Sequence, residues 1–352
     1  MAGMHVVVTC ERVQDFAALG LRWRALEAQA GPHSFFQSWS WIGCLAEERY
    51  PDPVLLRAER DGATIGLALL NRRHGRLCLA ESGDPVLDSP FIEHNAPLLA
   101  RGAGPAVLEA LLRAAWRVPG TRRLVLSGVP PALEAAAGGV ALRHQERPAP
   151  YIDLTAIRGG GGDYLGSLSA NARYQLRRSA RHYAARGGLA LQRAATVEEA
   201  RRWLRALIDL HQRDWQGRGK PGAFAEPFMR RFHNALLDCA FPRGEVDLLR
   251  LDAGAAAIGY LYNFRLGGHV HAYQSGFDHG EAGPHGKPGL TSHQFAVERA
   301  MAEGDRVYDF MGGAARYKSS LANATTPLIW TQLVSVRSPL GWLARARRAL
   351  GG

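Results

Sequence analysis

Val54–Gly83 reads VLLRAERDGATIGLALLNRRHGRLCLAESG, and Asp247–Gly276 reads DLLRLDAGAAAIGYLYNFRLGGHVHAYQSG. At an offset of 193 residues the two align without a gap, with identities at Leu55/Leu248, Leu56/Leu249, Arg57/Arg250, Ala63/Ala256, Ile65/Ile258, Gly66/Gly259, Arg72/Arg265, Gly75/Gly268, Ser82/Ser275 and Gly83/Gly276. Ten matches in thirty positions exceed what unrelated segments share, so two copies of one unit are the economical explanation. Each copy predicts a meander of three strands. In the second these are Val246–Leu251, a turn at Asp252–Gly254, Ala256–Leu266, the Gly267-Gly268 hairpin signal and His269–Phe277.

Both meanders run on into a helix and a further strand. The first copy predicts a helix over Pro105–Trp116 and a strand over Arg122–Ser127; the second predicts a helix over Thr291–Glu303 and a strand over Arg306–Met311. Gly120/Gly304 and Gly128/Gly312 bracket that last strand at equivalent places. The order in each half is two helices, three strands, a helix and a strand, which is an α+β arrangement with a mixed, mostly antiparallel sheet flanked by helices. A glycine run near Arg158–Gly162 makes a flexible join. The expected divisions are 1–157, 163–338 and a basic tail, 339–352.

Composition narrows the class. The chain has 352 residues, 47% of them hydrophobic, which excludes disorder, and no glycine period suggests a collagen-like rod. The net charge is +11, yet only three of the 43 basic residues are lysine: Lys220, Lys287 and Lys318, all in the second copy. An arginine bias of that kind reflects coding composition, so the charge is weak support for a nucleic-acid partner. Met1–Arg12 lacks a signal-peptide pattern, and no apolar run approaches the ~18 residues of a membrane span; the expectation is a soluble cytoplasmic protein. Cys10, Cys44, Cys78 and Cys239 form no CxxC pair and no zinc spacing, so no metal is expected. Gly341–Leu350 reads as a short basic amphipathic helix, either solvated or touching a membrane surface.

The copies diverge where chemistry is expected. Where the first has Arg76-Leu77-Cys78-Leu79-Ala80, the second has His269-Val270-His271-Ala272-Tyr273. Strand alternation puts His269, His271, Tyr273 and Ser275 on one face, either a solvent face or the wall of a polar cleft. The loop HGEAGPHGKPG, His279–Gly289, then leads into Thr291-Ser292-His293-Gln294, read as a capping box at a helix start. Backbone amides at such a glycine-flanked start suit a phosphate or pyrophosphate. It is not a nucleotide-hydrolysing loop, because Lys287 is followed by Pro288 where Ser or Thr binds magnesium.

A meander, a phosphate-ready helix start and a further strand resemble the core of the GNAT acyltransferases. The duplicated form is similar to the Fem-type peptidyltransferases and, more closely, to the CelD-like branch associated with polysaccharide biosynthesis. The residues that carry the resemblance are Ser167–Arg181 (SLSANARYQLRRSAR), His211–Trp215 (HQRDW), Tyr273–Asp278 (YQSGFD), Pro288-Gly289 and Asp309–Lys318 (DFMGGAARYK). The resemblance implies a catalytic second copy and a first copy without catalysis. It implies transfer of an acyl group from acetyl-CoA or another acyl-CoA to an amine of a sugar, amino acid or peptide, as in cell-envelope or exopolysaccharide synthesis. Fem-type relatives use aminoacyl-tRNA; the short chain and the absence of a coiled-coil insertion favour the thioester.

On this basis the pyrophosphate falls to Gly286, Lys287, Gly289, Leu290, Thr291 and Ser292. Tyr317 is the candidate acid for the departing thiolate, and Lys318 the candidate holder of a phosphate or oxyanion. Asp309 orients a base, binds the acceptor amine or holds its own loop. His211 or His271 is the candidate general base, with a satisfied core histidine as the competing reading of each. Trp215, Tyr273 and Ser275 are placed beside the acceptor. Arg173, Arg177 and Arg181 form a stripe at i, i+4, i+8 that holds an anionic acceptor or the ribose phosphate of CoA, or is simply solvated. The competing class is a basic nucleic-acid-binding protein, against which stand the missing helix-turn-helix and RNP patterns. Partners are a small-molecule or glycan acceptor, with no specific nucleic acid, and the oligomeric state is unreadable.

Overall fold

A computed structural model describes residues 6–280 and 282–350, the last four by backbone only. The strands are β1 (Val7–Arg12), β2 (Pro53–Arg60), β3 (Ala63–Arg73), β4 (Arg76–Leu79), β5 (Leu98–Leu99), β6 (Arg123–Val129), β7 (Gly139–Asp153), β8 (Leu189–Arg193), β9 (Val246–Ala253), β10 (Ala256–Leu266), β11 (His269–Phe277), β12 (Val307–Asp309) and β13 (Ala324–Ser335). The helices that bear on function are α1 (Pro105–Ala115), α2 (Ala170–Ala184), α3 (Val197–Gly217), α4 (Pro227–Ala240), α5 (Pro288–Ala302) and α6 (Arg316–Leu321).

The chain forms two compact units, Met1–Arg147 with Pro327–Gly352, and Pro148–Thr326. In the first, the strand order is β1-β2-β3-β4-β6, and Ile329–Val334 of β13 completes the sheet against β6. In the second, β8-β9-β10-β11-β12 is completed by Tyr151–Asp153 of β7 against β12. The last strand of each sequence copy therefore finishes the sheet of the other unit. This replaces the expected divisions at 157 and 163: the boundary falls inside β7, and residues 327–338 leave the second copy for the first unit.

The duplication is visible in the register. Ala58 pairs with Gly66 in the first meander and Leu251 with Gly259 in the second, the same positions once the offset is removed, and each strand pair carries its bulge nearby. β4 runs parallel to β6 as β11 runs parallel to β12; the other named pairings are antiparallel. His74-Gly75 and Gly267-Gly268 both sit at positive φ, which is the two-residue turn whose twist matches the flanking strands. Gly66 and Gly259 are shared for a packing reason. A Cβ on Gly66 would lie 2.9 Å from Leu99 and 3.0 Å from Leu111 of α1, and one on Gly259 would lie 2.5 Å from Ser292 of α5.

In the second unit the sheet is covered on both faces. Leu249, Leu261, Val270 and Tyr308 join Leu176 of α2 and Ala296, Val297 and Ala300 of α5 in one core. On the opposite face, Tyr273 packs against His233 of α4, Tyr262 and Phe264.

Two expected elements change. The helix begins at Pro288, not Thr291, because proline suits the first helical position and its missing amide is not needed there. Thr291 is buried inside the helix and Gln294 bonds Glu298, so the capping box does not form. The strand expected over Arg306–Met311 is only Val307–Asp309, and the chain turns away at Met311, whose φ is +66°.

Candidate active site

β11 and β12 are paired only as far as His271 and Asp309. Beyond that point β11 continues to Phe277 while β12 ends, so the parallel pair opens at its C-terminal end. The first turn of α5 follows β11 after the loop. In this turn the amides of Gly289 and Leu290 have no hydrogen-bond partner among the described residues, the first amides of a helix having none within it; the first bond back is from Thr291 N to Lys287 O at 3.0 Å. The helix start is fixed from α2. Ser179 Oγ accepts from Lys287 N at 2.9 Å and lies 2.7 Å from Thr291 Oγ1. Two hydroxyls buried here have no hydrogen bond, Ser292 Oγ and the phenol of Tyr183. A Cβ on Gly286 would meet that phenol at 2.8 Å. Unbonded donors at a helix start make this turn receptive to an anion.

Tyr317, in the first turn of α6, stacks on His293 of α5 with ring centroids 5.8 Å apart and 19° between planes. Phe310 closes the stack edge-on at 6.2 Å. Although Tyr317 keeps 39% of its surface, burial around its ring pushes the phenol up to about 12. His293 is pushed down to about 3, first by burial and then by the charge of Lys318; its Nδ1 lies 3.1 Å from the Tyr308 hydroxyl. A neutral imidazole beneath a protonated phenol is the result.

Lys318 and Asp309 meet through the backbone of one residue. Lys318 Nζ donates to Met311 O at 3.1 Å and Gly312 O at 2.9 Å, while Asp309 Oδ1 accepts from Met311 N at 2.7 Å. A non-glycine residue in the left-handed region costs of order 1 kcal/mol or more, and these charge-assisted bonds hold Met311 there. Asp309 therefore holds its own loop. Its other oxygen lies 3.3 Å from His269 Nε2, and His269 stacks on His271 at 4.1 Å.

Several expected roles fall. His211 has both ring nitrogens occupied by backbone: Nδ1 lies 2.9 Å from Ser275 O and Nε2 accepts from Ala223 N at 3.2 Å. Burial also pushes its pKa down. It clips α3 to β11, and Trp215 stacks on it at 5.7 Å, with Lys220 over the indole. Neither is an acid–base group here. His271 is fully buried and Tyr273 nearly so, on the sheet face opposite α5, so neither meets a substrate at the opening. Strand alternation gave their shared face correctly, but that face is covered by α3 and α4.

The arginine stripe lines an open cleft of about 590 Å³ with Ala170, Tyr174, Ala180 and Gln294. Arg173 is committed to the carbonyls of Leu165, Gly166 and Leu168. Among the described residues Arg177 and Arg181 have no carboxylate partner. His293, Ser179 and Tyr183 were missed in the sequence. The signal for His293 was its helical phase with Leu290, Val297 and Ala300, which marks a buried face. Among the described residues no group of three or more His, Cys, Asp or Glu side chains could hold a metal ion, and no helix is long and apolar enough to cross a membrane.

Residues 170–319 match the family model described as an acetyltransferase (GNAT) domain. No curated protein matches the sequence. Among solved structures, the chain is similar to FemX, with a TM-score of 0.61 and 10% identity over 95% of this chain and 99% of that one. It is similar to the C-terminal domain of a protein described as a lysylphosphatidylglycerol synthetase from Agrobacterium fabrum, with a TM-score of 0.59 and 12% identity over 95% of each chain. The L-PGS structure from Bacillus licheniformis gives 0.56 and 13% over 93% and 96%. At these identities the likeness is one of fold.

Proposed function

We propose that the chain, whose residues 170–319 match a GNAT acetyltransferase domain, moves an acyl group from an acyl-CoA thioester to an amine of a sugar, amino acid or peptide. The observation that carries this reading is the opened β11/β12 pair beside a helix start with two unbonded amides and the protonated phenol of Tyr317. The donor set fits a pyrophosphate. The Gly289 and Leu290 amides would bind it, with Lys287 at the helix cap, and Gly289 is small because a Cβ there would meet the Phe277 ring at 3.0 Å. Acyl-CoA, when bound, supplies an activated carbonyl.

The residues of the chain do the rest. The amine nitrogen forms the amide bond as the carbon–sulfur bond breaks, and Tyr317 Oη gives its proton to the departing sulfur. The proton lost by the amine balances the one that Tyr317 must regain. His293 supports the phenol by stacking and stays uncharged, so it does not draw the phenolate form. Lys318 and Asp309 position the Met311 turn that leads into α6. Assignment to the CelD-like branch, a cell-envelope or exopolysaccharide acceptor and a cytoplasmic location belong to the same proposal.

Calorimetric titration with acetyl-CoA, followed by amine-dependent thiol release over a panel of acceptors, tests it. Binding together with amine-dependent release is the expected result; no binding to acyl-CoAs of any chain length would overturn it. Arg177 and Arg181, which have no carboxylate partner among the described residues, favour one second reading, an aminoacyl-tRNA donor. Competition by tRNA but not by CoA would select that reading.

A further inference from the structure

The Pro339–Leu350 helix carries an apolar face that the fold leaves open. Among the described residues ten large hydrophobics are exposed, and four fall within eight positions: Val336, Leu340, Trp342 and Leu343. Trp342 keeps 64% of its surface and Leu343 61%. These are not loose ends of a fraying segment. Ser338 Oγ donates to Ser335 O at 2.8 Å and accepts from Gly341 N at 3.0 Å, and Trp342 N donates to Ser338 O at 3.1 Å. Gly341 is buried against Ser335. At about 100° per residue, Trp342, Leu343 and Ala346 share one arc of the helix, on the side away from Gly341. The helix is thus docked by one side and presents the other.

Charge says what covers it. No Asp or Glu follows Asp309 in the sequence, while Arg316, Lys318, Arg337, Arg345, Arg347 and Arg348 do. Exposed Arg345 borders the Trp342/Leu343 face. Tryptophan and leucine on one face with arginines beside them, on a helix free of acids, match an anionic bilayer surface: the rings enter the headgroup boundary and the guanidiniums meet lipid phosphates. A second copy of this chain would bring like charges together on that face.

We propose that residues 336–346 form a docking surface for anionic phospholipid, distinct from the acyl-transfer site. Lipid phosphate rather than free phosphate is the ligand, because the apolar face needs an acyl boundary to enter. The test is co-sedimentation of the full chain with phosphatidylcholine vesicles, with and without phosphatidylglycerol. Binding should require phosphatidylglycerol and fall with added salt. The double variant Trp342→Ser/Leu343→Ser should lose at least about tenfold in binding, and Arg345→Gln about fivefold. Both should keep the wild-type melting temperature and thiol release on a soluble amine, since these side chains are exposed. Undiminished vesicle binding by the double variant, inorganic phosphate competing as well as vesicles do, or concentration-dependent dimers abolished by the double variant without vesicle binding would each overturn the proposal.

Discussion

At Tyr317 and His293 two rings that both titrate near the working range of an enzyme have been moved out of it in opposite directions. The phenol holds its proton to about 12 and the imidazole takes none until about 3. In the proposed reaction the acid for the thiolate is therefore always loaded, and Tyr317→Phe should lower turnover about a hundredfold with little change in melting temperature, as a steady-state assay would read. With His211 and His271 held in the backbone and core, the acid limb of kcat/KM should follow the amine of the acceptor. Acceptors of different basicity should move that limb, and a fixed limb would return an enzymic base to the mechanism. His293 also has a stability signature. Its unfolded form binds a proton below about 6.5 and its folded form only near 3, so between those values the unfolded state holds more protons and stability falls with falling pH, by up to about 1.4 kcal/mol per unit. The stability difference between wild type and His293→Phe, measured by denaturant titration, should shrink as the pH drops from 6.5. Tyr317 and Lys318 stood out in the sequence as a pair after a glycine turn, with lysine rare elsewhere. Their stacking and carbonyl contacts were not legible, because both depend on Met311 adopting a left-handed backbone that nothing in its side chain announces.

The elements owe their placement to small residues kept in both copies. Gly259 on β10 brings α5 close, and Gly66 on β3 does the same for α1. An alanine at either has ordinary φ, so the cost is steric. Gly259→Ala would press on Ser292 at 2.5 Å and on the Phe277 ring at 2.9 Å, at the helix start that would receive the donor. Gly66→Ala meets the ends of Leu99 and Leu111 at 2.9 and 3.0 Å, both in the first unit. Both should lose about 1–3 kcal/mol of stability, but only Gly259→Ala should weaken acetyl-CoA binding, by about tenfold or more. Equal calorimetric affinities for the two variants would separate the donor from α5. The meander strands were legible because hairpin glycines and alternating apolar positions are local signals. The start of α5 was not: a T-x-x-Q pattern predicts a cap only if the chain arrives extended, and Pro288 had already begun the helix.

At the level of the whole chain, the duplication is easy to read and the division between units is not. Strand pairing joins residues far apart in sequence, so no local composition marks the exchange of β7 and β13, and the glycine run at 159–162 is a connection inside the second unit. The consequence is a sharp expectation for fragments. Residues 148–326 contain all six strands of the second unit, with Asn323 N bonded to Tyr151 O at 3.2 Å and its side chain accepting from Asp153 N at 2.8 Å. Residues 163–338 lack Pro148–Asp153, which bares the edge of β12, and they lose the buried Ile152, Leu154 and Ile157 from the core. Removing three such side chains costs about 6 kcal/mol or more, comparable to the whole stability of a domain. They also retain an apolar half of β13 with no sheet to join. Expressed separately, 148–326 should give a cooperative thermal transition, and 163–338 should aggregate or melt without one. A cooperative transition in 163–338 matching that of 148–326 would mean that β13 can close the second sheet in place of β7, and that the exchange is not required for folding.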